Sequence, residues 1–259
     1  MKFLKNSLLK LLGEKNFLFL SAYMFQLLYK TGKLGKEYQD VYFLKNIIHE
    51  SYFTADIGAH LGYYTFELSK LCGTNGKVIA IEPVTKFNVI IEKMMARNKS
   101  HNIYLKKVAL GGKGDFVEIG IPIVGKQKKF GYARIKEMHE YLEYAETEEV
   151  PNVNGDELFK DVPRLDFIKC DVEGAEVPVF NSLLGTVEKH RPILLCELAD
   201  KNERIKMFNM LRPYQYQAYI LQNKKLYWFD VHSEVLAISH NHYFIPSARI
   251  EQLHEVLVT

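Results

Sequence analysis

Three short runs bring together residue types that could do chemistry. The first is Asp56-Ile57-Gly58-Ala59-His60-Leu61-Gly62, directly after an apolar stretch. Gly58 and Gly62 permit a tight turn and a close backbone approach to a ligand, and amides opening a following helix suit a carboxylate or phosphate. His60 stands where the dinucleotide fingerprint G-x-G-x-x-G needs its second glycine, which weakens a reading as a nicotinamide-dependent oxidoreductase. The second is Glu82, 24 positions after Gly58 and just before Pro83, where a strand-end carboxylate accepts hydrogen bonds from both hydroxyls of a ribose. Ala109, near the end of a later strand, either faces an adenine ring or is an ordinary core alanine. The third run, Lys169-Cys170-Asp171-Val172-Glu173-Gly174-Ala175-Glu176, sets three carboxylates at the carboxyl end of a strand, the edge where open α/β sheets bind ligands. Asp171 is the first candidate for a general base and Glu173 the second, although either could instead cap a helix or hold a cofactor amino group. Of His232, His240 and His242, His242 beside Tyr243 is the best candidate for a base or substrate contact. The acidic run with Glu197 could hold Mg²⁺, but the spacing matches no metal signature and no metal is expected.

Asp56 to Gly62, Ile81-Glu82-Pro83, Ile168 to Glu176 and Leu194 to Leu198 resemble, in order and spacing, the FkbM family of methyltransferases. That family repeats D-x-G-A-N-x-G, an E-P after the second strand, and I-K-x-D-V-E-G-A-E. The similarity runs from about Tyr52 to Pro246, through Gly155-Asp156-Glu157-Leu158 and Tyr243-Phe244-Ile245-Pro246. His60 departs from the usual asparagine. The resemblance implies a Rossmann-like class I fold with S-adenosyl-L-methionine as methyl donor. It also implies an O-methyl product, on a sugar, polysaccharide precursor or secondary metabolite. Asp56, Gly58, His60, Gly62, Glu82 and Ala109 are the expected cofactor-binding set, and Asp171, Glu173 and His242 the expected catalytic one.

The elements that must position these residues alternate in the βαβ manner of a parallel sheet covered by helices. Strands are predicted at Tyr52–Ile57, Lys77–Ile81, Ile103–Leu110, Phe116–Val124, Leu165–Cys170 and Ile193–Cys196. Helices are predicted at Tyr63–Cys72, Lys86–Asn98, Gly155–Lys160, from Glu176 into Leu184, and at Glu203–Leu211. Antiparallel strands at Gln217–Leu221, Leu226–Phe229 and Val235–Ile238 are expected to close the sheet. Gly125 to Glu149, with Lys126, Lys128 and Lys129 and then many glutamates, loses all periodicity and reads as a solvated loop or a substrate lid.

Residues 1–45 read as a helical extension of a catalytic domain at 46–259. Leu4, Leu8, Leu9, Leu11 and Leu12 share a helical face among lysines, which fits docking on the domain or peripheral membrane contact. The apolar stretch from Phe17 to Tyr29 has 13 residues, too few to span a bilayer, and no clear cleavage site makes it a signal peptide. A membrane-surface scaffold that keeps the cofactor without catalysis is the alternative function. Thirty-four basic against 31 acidic residues leave a net charge of +3, too small a surplus to suggest nucleic acid as a partner. A small-molecule or carbohydrate acceptor is expected instead. Cys72, Cys170 and Cys196 are an odd set, two of them in apolar strands, so they read as core residues of a cytoplasmic protein.

Overall fold

The computed structural model describes residues 2–233 and 240–258. In chain order the elements are α1 (Lys2–Lys30), α2 (Gln39–Phe43), β1 (Phe53–Ile57), α3 (Tyr63–Cys72), β2 (Lys77–Ile81), α4 (Thr85–Asn98), β3 (Ile103–Lys106) and β4 (Ala109–Leu110). They continue with β5 (Phe116–Val124), β6 (Gln127–Lys128), β7 (Arg134–Ile135), β8 (Tyr144–Val153), α5 (Gly155–Phe159), β9 (Phe167–Cys170), α6 (Glu176–Asn181) and α7 (Leu184–His190). The chain ends with β10 (Ile193–Glu197), α8 (Lys201–Leu211), β11 (Tyr216–Gln222), β12 (Lys225–Trp228), β13 (Asn241–Pro246) and β14 (Leu257–Val258).

Among the described residues one sheet runs β14-β12-β11-β13-β10-β9-β1-β2-β3. β10, β9, β1, β2 and β3 are mutually parallel, and β13 is antiparallel to both of its neighbours. Strand order reverses between β1 and β9, so their carboxyl ends flank the crevice where such sheets bind ligands. Side chains alternate between two cores, as pleating requires. Phe167, Ile193 and Leu195 join Phe87, Ile90 and Met94 of α4 on one face, while Ile168, Leu194 and Cys196 join Phe180, Met207 and Leu211 on the other. Full burial of both faces explains why these strands read as continuous apolar runs. All three cysteines are free and buried.

Four expectations need correction. Ile103–Leu110 is not one strand: β3 stays in the large sheet, while β4 pairs with β8 in a second one. The 125–149 stretch is not a loop; β8 pairs with β5 along its length, and β6 and β7 add short edges. Its outer residues are partly exposed on both faces, so polar side chains erase the alternation that would mark a strand. The helix expected to run into Leu184 breaks into α6 and α7. At the closing end β11 and β12 form as expected, but β11 is antiparallel to β13 and therefore parallel to the central strands. The strand that inserts against β10 is β13, in the histidine-bearing segment. The expected strand at 235–238 lies outside the described residues.

α1 changes direction at Gly13 (φ 69°), and its second half docks on the domain through Phe17, Leu18, Ala22 and Phe25. Phe25 stacks on Tyr63 of α3 with ring centroids 4.0 Å apart. Leu11 is 82% exposed, so the amphipathic stripe does not bury evenly. Among the described residues no helix is long and apolar enough to cross a membrane.

Candidate active site

A cleft of about 530 Å³ opens at the carboxyl ends of β1, β2 and β9, with β4 and the second sheet on its other side. Gly58, His60, Glu82, Ala109, Asp171 and Glu173 all line it; Asp56, Gly62 and His242 do not. Gly58 has φ 78°, and a Cβ there would sit 1.8 Å from the carbonyl oxygen of Asp171. The glycine therefore lets two strand ends touch, rather than admitting a ligand. Gly62 (φ 79°) starts α3, and the Phe66 ring occupies the space of any side chain it could carry. The His60 amide donates to Oε2 of Glu82 at 2.7 Å, and the Val84 amide donates to Oε1 at 2.8 Å. Burial pushes Glu82 up to about 8. Each of its oxygens keeps acceptor capacity after these contacts, enough for the hydroxyls of a ribose.

Asp56 is fully buried beneath α3. Its Oδ2 accepts from the Thr65 hydroxyl at 2.5 Å, and its Oδ1 lies 3.5 Å from the Lys169 ammonium. Lys169 had no role in the sequence reading, yet it is the hub of the floor. Its side chain is 7% exposed, and Nζ donates to the Gly58 carbonyl at 3.1 Å and pairs with Asp171 at 3.2 Å. Two carboxylates hold its pKa above the ordinary lysine value despite burial. A lysine inside the otherwise apolar strand Phe-Ile-Lys-Cys was the available signal, because a buried charge needs a partner.

The register that pairs Cys170 with Cys196 sets Asp171 and Glu197 side by side at the ends of β9 and β10. Burial first, and the neighbouring Asp171 second, raise the pKa of Glu197. Glu173 has φ 57°, an uncommon conformation for a residue with a side chain. It pairs with the Arg134 guanidinium at 2.8 Å. Burial and the charge of Asp171 outweigh that cation and push Glu173 up to about 8. Glu176 instead organises the turn, accepting from the amides of Val172 and Gly174. Among the described residues no group of three or more His, Cys, Asp or Glu is arranged to hold a metal ion.

His242 lies on the far face of the sheet. It is fully buried, its Nδ1 is 2.8 Å from the His240 carbonyl oxygen, and its ring centroid is 5.3 Å from that of Phe229. The strand pleat that sends Tyr243 toward α2, where its hydroxyl donates to Asp40 at 2.8 Å, sends His242 the other way. It cannot reach the cleft, and the expectation that it acts there is corrected.

The family model described as the methyltransferase FkbM domain matches residues 56–245, well over half of the chain. The chain belongs to the FkbM methyltransferase family. Its cofactor is therefore S-adenosylmethionine. Solved structures that match the chain include an FkbM methyltransferase from Methylobacillus flagellatus KT, 16% identical with TM-score 0.48, covering 77% of this chain and 47% of that one. Another is a precorrin-6y C5,15-methyltransferase from Geobacter metallireducens GS-15, 14% identical with TM-score 0.46, covering 81% and 87%. A third is Aeropyrum pernix fibrillarin with natively bound S-adenosyl-L-methionine, 11% identical with TM-score 0.44, covering 80% and 73%. No curated protein matches.

The residues of this FkbM methyltransferase suit such a cofactor. Glu82 can take the ribose, while Val108, Ala109 and Leu110 offer an apolar wall to adenine. Glu173 and Glu197 are the carboxyls in the cleft that could pair with a positive ammonium or sulfonium. The volume falls within the usual range for small-molecule sites, roughly 300–1,000 Å³. The opposite wall comes from the N-terminal helix and from the segment expected as a solvated loop or lid: Phe17, Leu18 and Ser21 of α1, and Phe130, Tyr132 and Arg134 around β7.

Proposed function

We propose that this methyltransferase acts on a hydroxyl oxygen of a small molecule or saccharide, with Asp171 as the proton acceptor. The observation that carries this reading is the set of carboxylates at the sheet edge, facing a wall built from α1 and the second sheet. When bound, S-adenosylmethionine supplies an already activated methyl group, so the chain's task is alignment and removal of one proton. Asp171 would take the hydroxyl proton as the acceptor oxygen is methylated, with S-adenosylhomocysteine as the leaving group. The Lys169 ammonium 3.2 Å away orients that carboxylate. Glu82, His60 and Ala109 serve the donor.

Supporting a small acceptor over a nucleic acid is the net charge of +3, which provides no broad cationic surface. The test is transfer of labelled methyl from S-adenosylmethionine to a panel of hydroxyl compounds, with products identified by mass spectrometry. Asp171→Asn should lower kcat/KM by about 100-fold or more while leaving S-adenosylhomocysteine affinity nearly unchanged, the usual contribution of a general base. Products methylated on nitrogen or carbon, or an Asp171→Asn enzyme of full activity, would overturn the reading.

A further inference from the structure

Charges in the cleft are segregated. The acids Glu82, Asp171, Glu173 and Glu197 lie along the parallel sheet, with Lys169 committed among them; the other cations, Lys128, Lys129 and Arg134, come from the second sheet and its turns. Lys128 is spent on Glu14 and Glu146. Lys129 is half-buried, and its ammonium makes no hydrogen bond or ion pair with the described residues. Arg134 uses Nε on the Tyr132 carbonyl at 3.1 Å and Nη2 on Glu173 at 2.8 Å. Its Nη1 has no hydrogen bond to the described residues, although the side chain is only 17% exposed.

Unused donors on partly buried cations at a ligand cleft carry a desolvation cost that a bound anion offsets. The acidic side already complements a cationic donor. We propose that the methyl acceptor carries an oxyanion, a carboxylate or a phosphate, held by Lys129 and Arg134 at the wall opposite the donor. This rests on the assignment of the sheet side to S-adenosylmethionine and of the second-sheet side to the acceptor. The unused Nη1 of Arg134 can donate a charge-assisted hydrogen bond to either anion, and Lys129 adds a point charge. Tyr132, 46% exposed beside them, gives a ring-shaped acceptor a flat surface to lie on. The segment that looked like a solvated insertion thereby becomes the part that selects the substrate.

Ligand-observed NMR tests the idea with three probes of similar size, glucuronate, glucose 6-phosphate and neutral glucose, on the full chain with and without S-adenosylhomocysteine. Saturable binding of one or both anionic probes, at least about tenfold tighter than glucose, is expected because charge-assisted hydrogen bonds contribute that much. The two anionic arms separate carboxylate from phosphate recognition. The double variant Lys129→Gln/Arg134→Gln should lose that preference while binding S-adenosylhomocysteine within about threefold of wild type, which also reports that it is folded. Equal binding of glucose and the anions, absence of saturable binding by both anions, or a preference that survives the double variant would each overturn the proposal. So would a large loss of S-adenosylhomocysteine affinity in the double variant, because these cations would then be holding the donor's own carboxylate. Anion binding without S-adenosylhomocysteine, in a protein that never binds that product, would sink the donor assignment and leave the anion site standing.

Discussion

Asp56 illustrates how a residue at a strand end beside the cleft can be engaged beneath it. The position of Asp56 at a strand end pointed to the cofactor, but its carboxylate is spent below the cleft on Thr65 and Lys169. Removing one member of a buried ion pair leaves the other charge uncompensated, so Lys169→Met should cost about 3 kcal/mol or more of unfolding free energy. Adding Asp56→Asn should recover part of that loss, and urea denaturation of the two variants measures it; simple additivity would mean the pair is not coupled. At the reaction centre, Glu173 titrates near about 8. As pH rises through that value Glu173 gains its charge and the cleft becomes a better partner for the cationic donor, so kcat/KM for the donor should climb and then level. Glu173→Gln should retain activity but lose this limb in a pH–rate profile, whereas an unchanged limb would assign it to another group. Glu82 and the Asp171–Glu176 turn were legible because strand-end chemistry is local in sequence. The role of Lys169 was not, because its partners lie on another strand.

Elements were legible where both faces are buried or one is amphipathic: β2, β5 and α3 fall where their patterns predict. They were illegible where strands are two residues long, as in β6 and β7, or polar on both faces, as in β8. The second sheet packs on the main core through Val117, Ile119, Ile121 and Phe130, and a ring of alternating charge borders that contact. Lys86 at the start of α4 bridges Glu14 of α1 and Glu146 of β8, and Lys128 of β6 touches the same two glutamates at 3.2 and 3.1 Å. The Lys86 ammonium also lies 5.7 Å from the Phe130 ring centroid. No spacing rule links residues 14, 86, 128 and 146. All four side chains are 25–41% exposed, so the ring contributes only about 1 kcal/mol and weakens in salt. Its effect should be local. Lys86→Met should speed amide hydrogen exchange in residues 14–22 and 127–135 while the central strands stay protected, and high salt should reproduce that pattern in the wild type. Exchange that is unchanged, or raised everywhere, would mean that packing of Phe17 and Phe130 alone holds the wall.

For the whole molecule, residues of both cores reach the cleft, Ile57, Ile81 and Leu110 among them, but His242 does not line it. Its burial among Phe229 and its neighbours turns it from a catalytic candidate into a determinant of acid stability. Burial is the main cause that pulls its pKa from 6.5 down to about 4, against the raising effect of the His240 carbonyl and with small help from Arg204. In the unfolded chain the imidazole takes its proton near its ordinary value, while in the folded chain it resists until about 4. The unfolded state therefore binds more protons through that window, and stability must fall as the pH drops through it. A gap of this size corresponds to at most about 3.5 kcal/mol. Glu82 and Glu173, whose folded pKa values are raised, act with the opposite sign, so the absolute pH curve mixes both. The difference between wild type and His242→Asn isolates the histidine, because asparagine keeps a polar group near the His240 carbonyl but does not titrate. Urea midpoints measured across the acid range should show the variant losing less stability than wild type on acidification, whatever its stability at neutral pH. Parallel curves would mean that the ring is protonated in the fold, with its charge held by a partner.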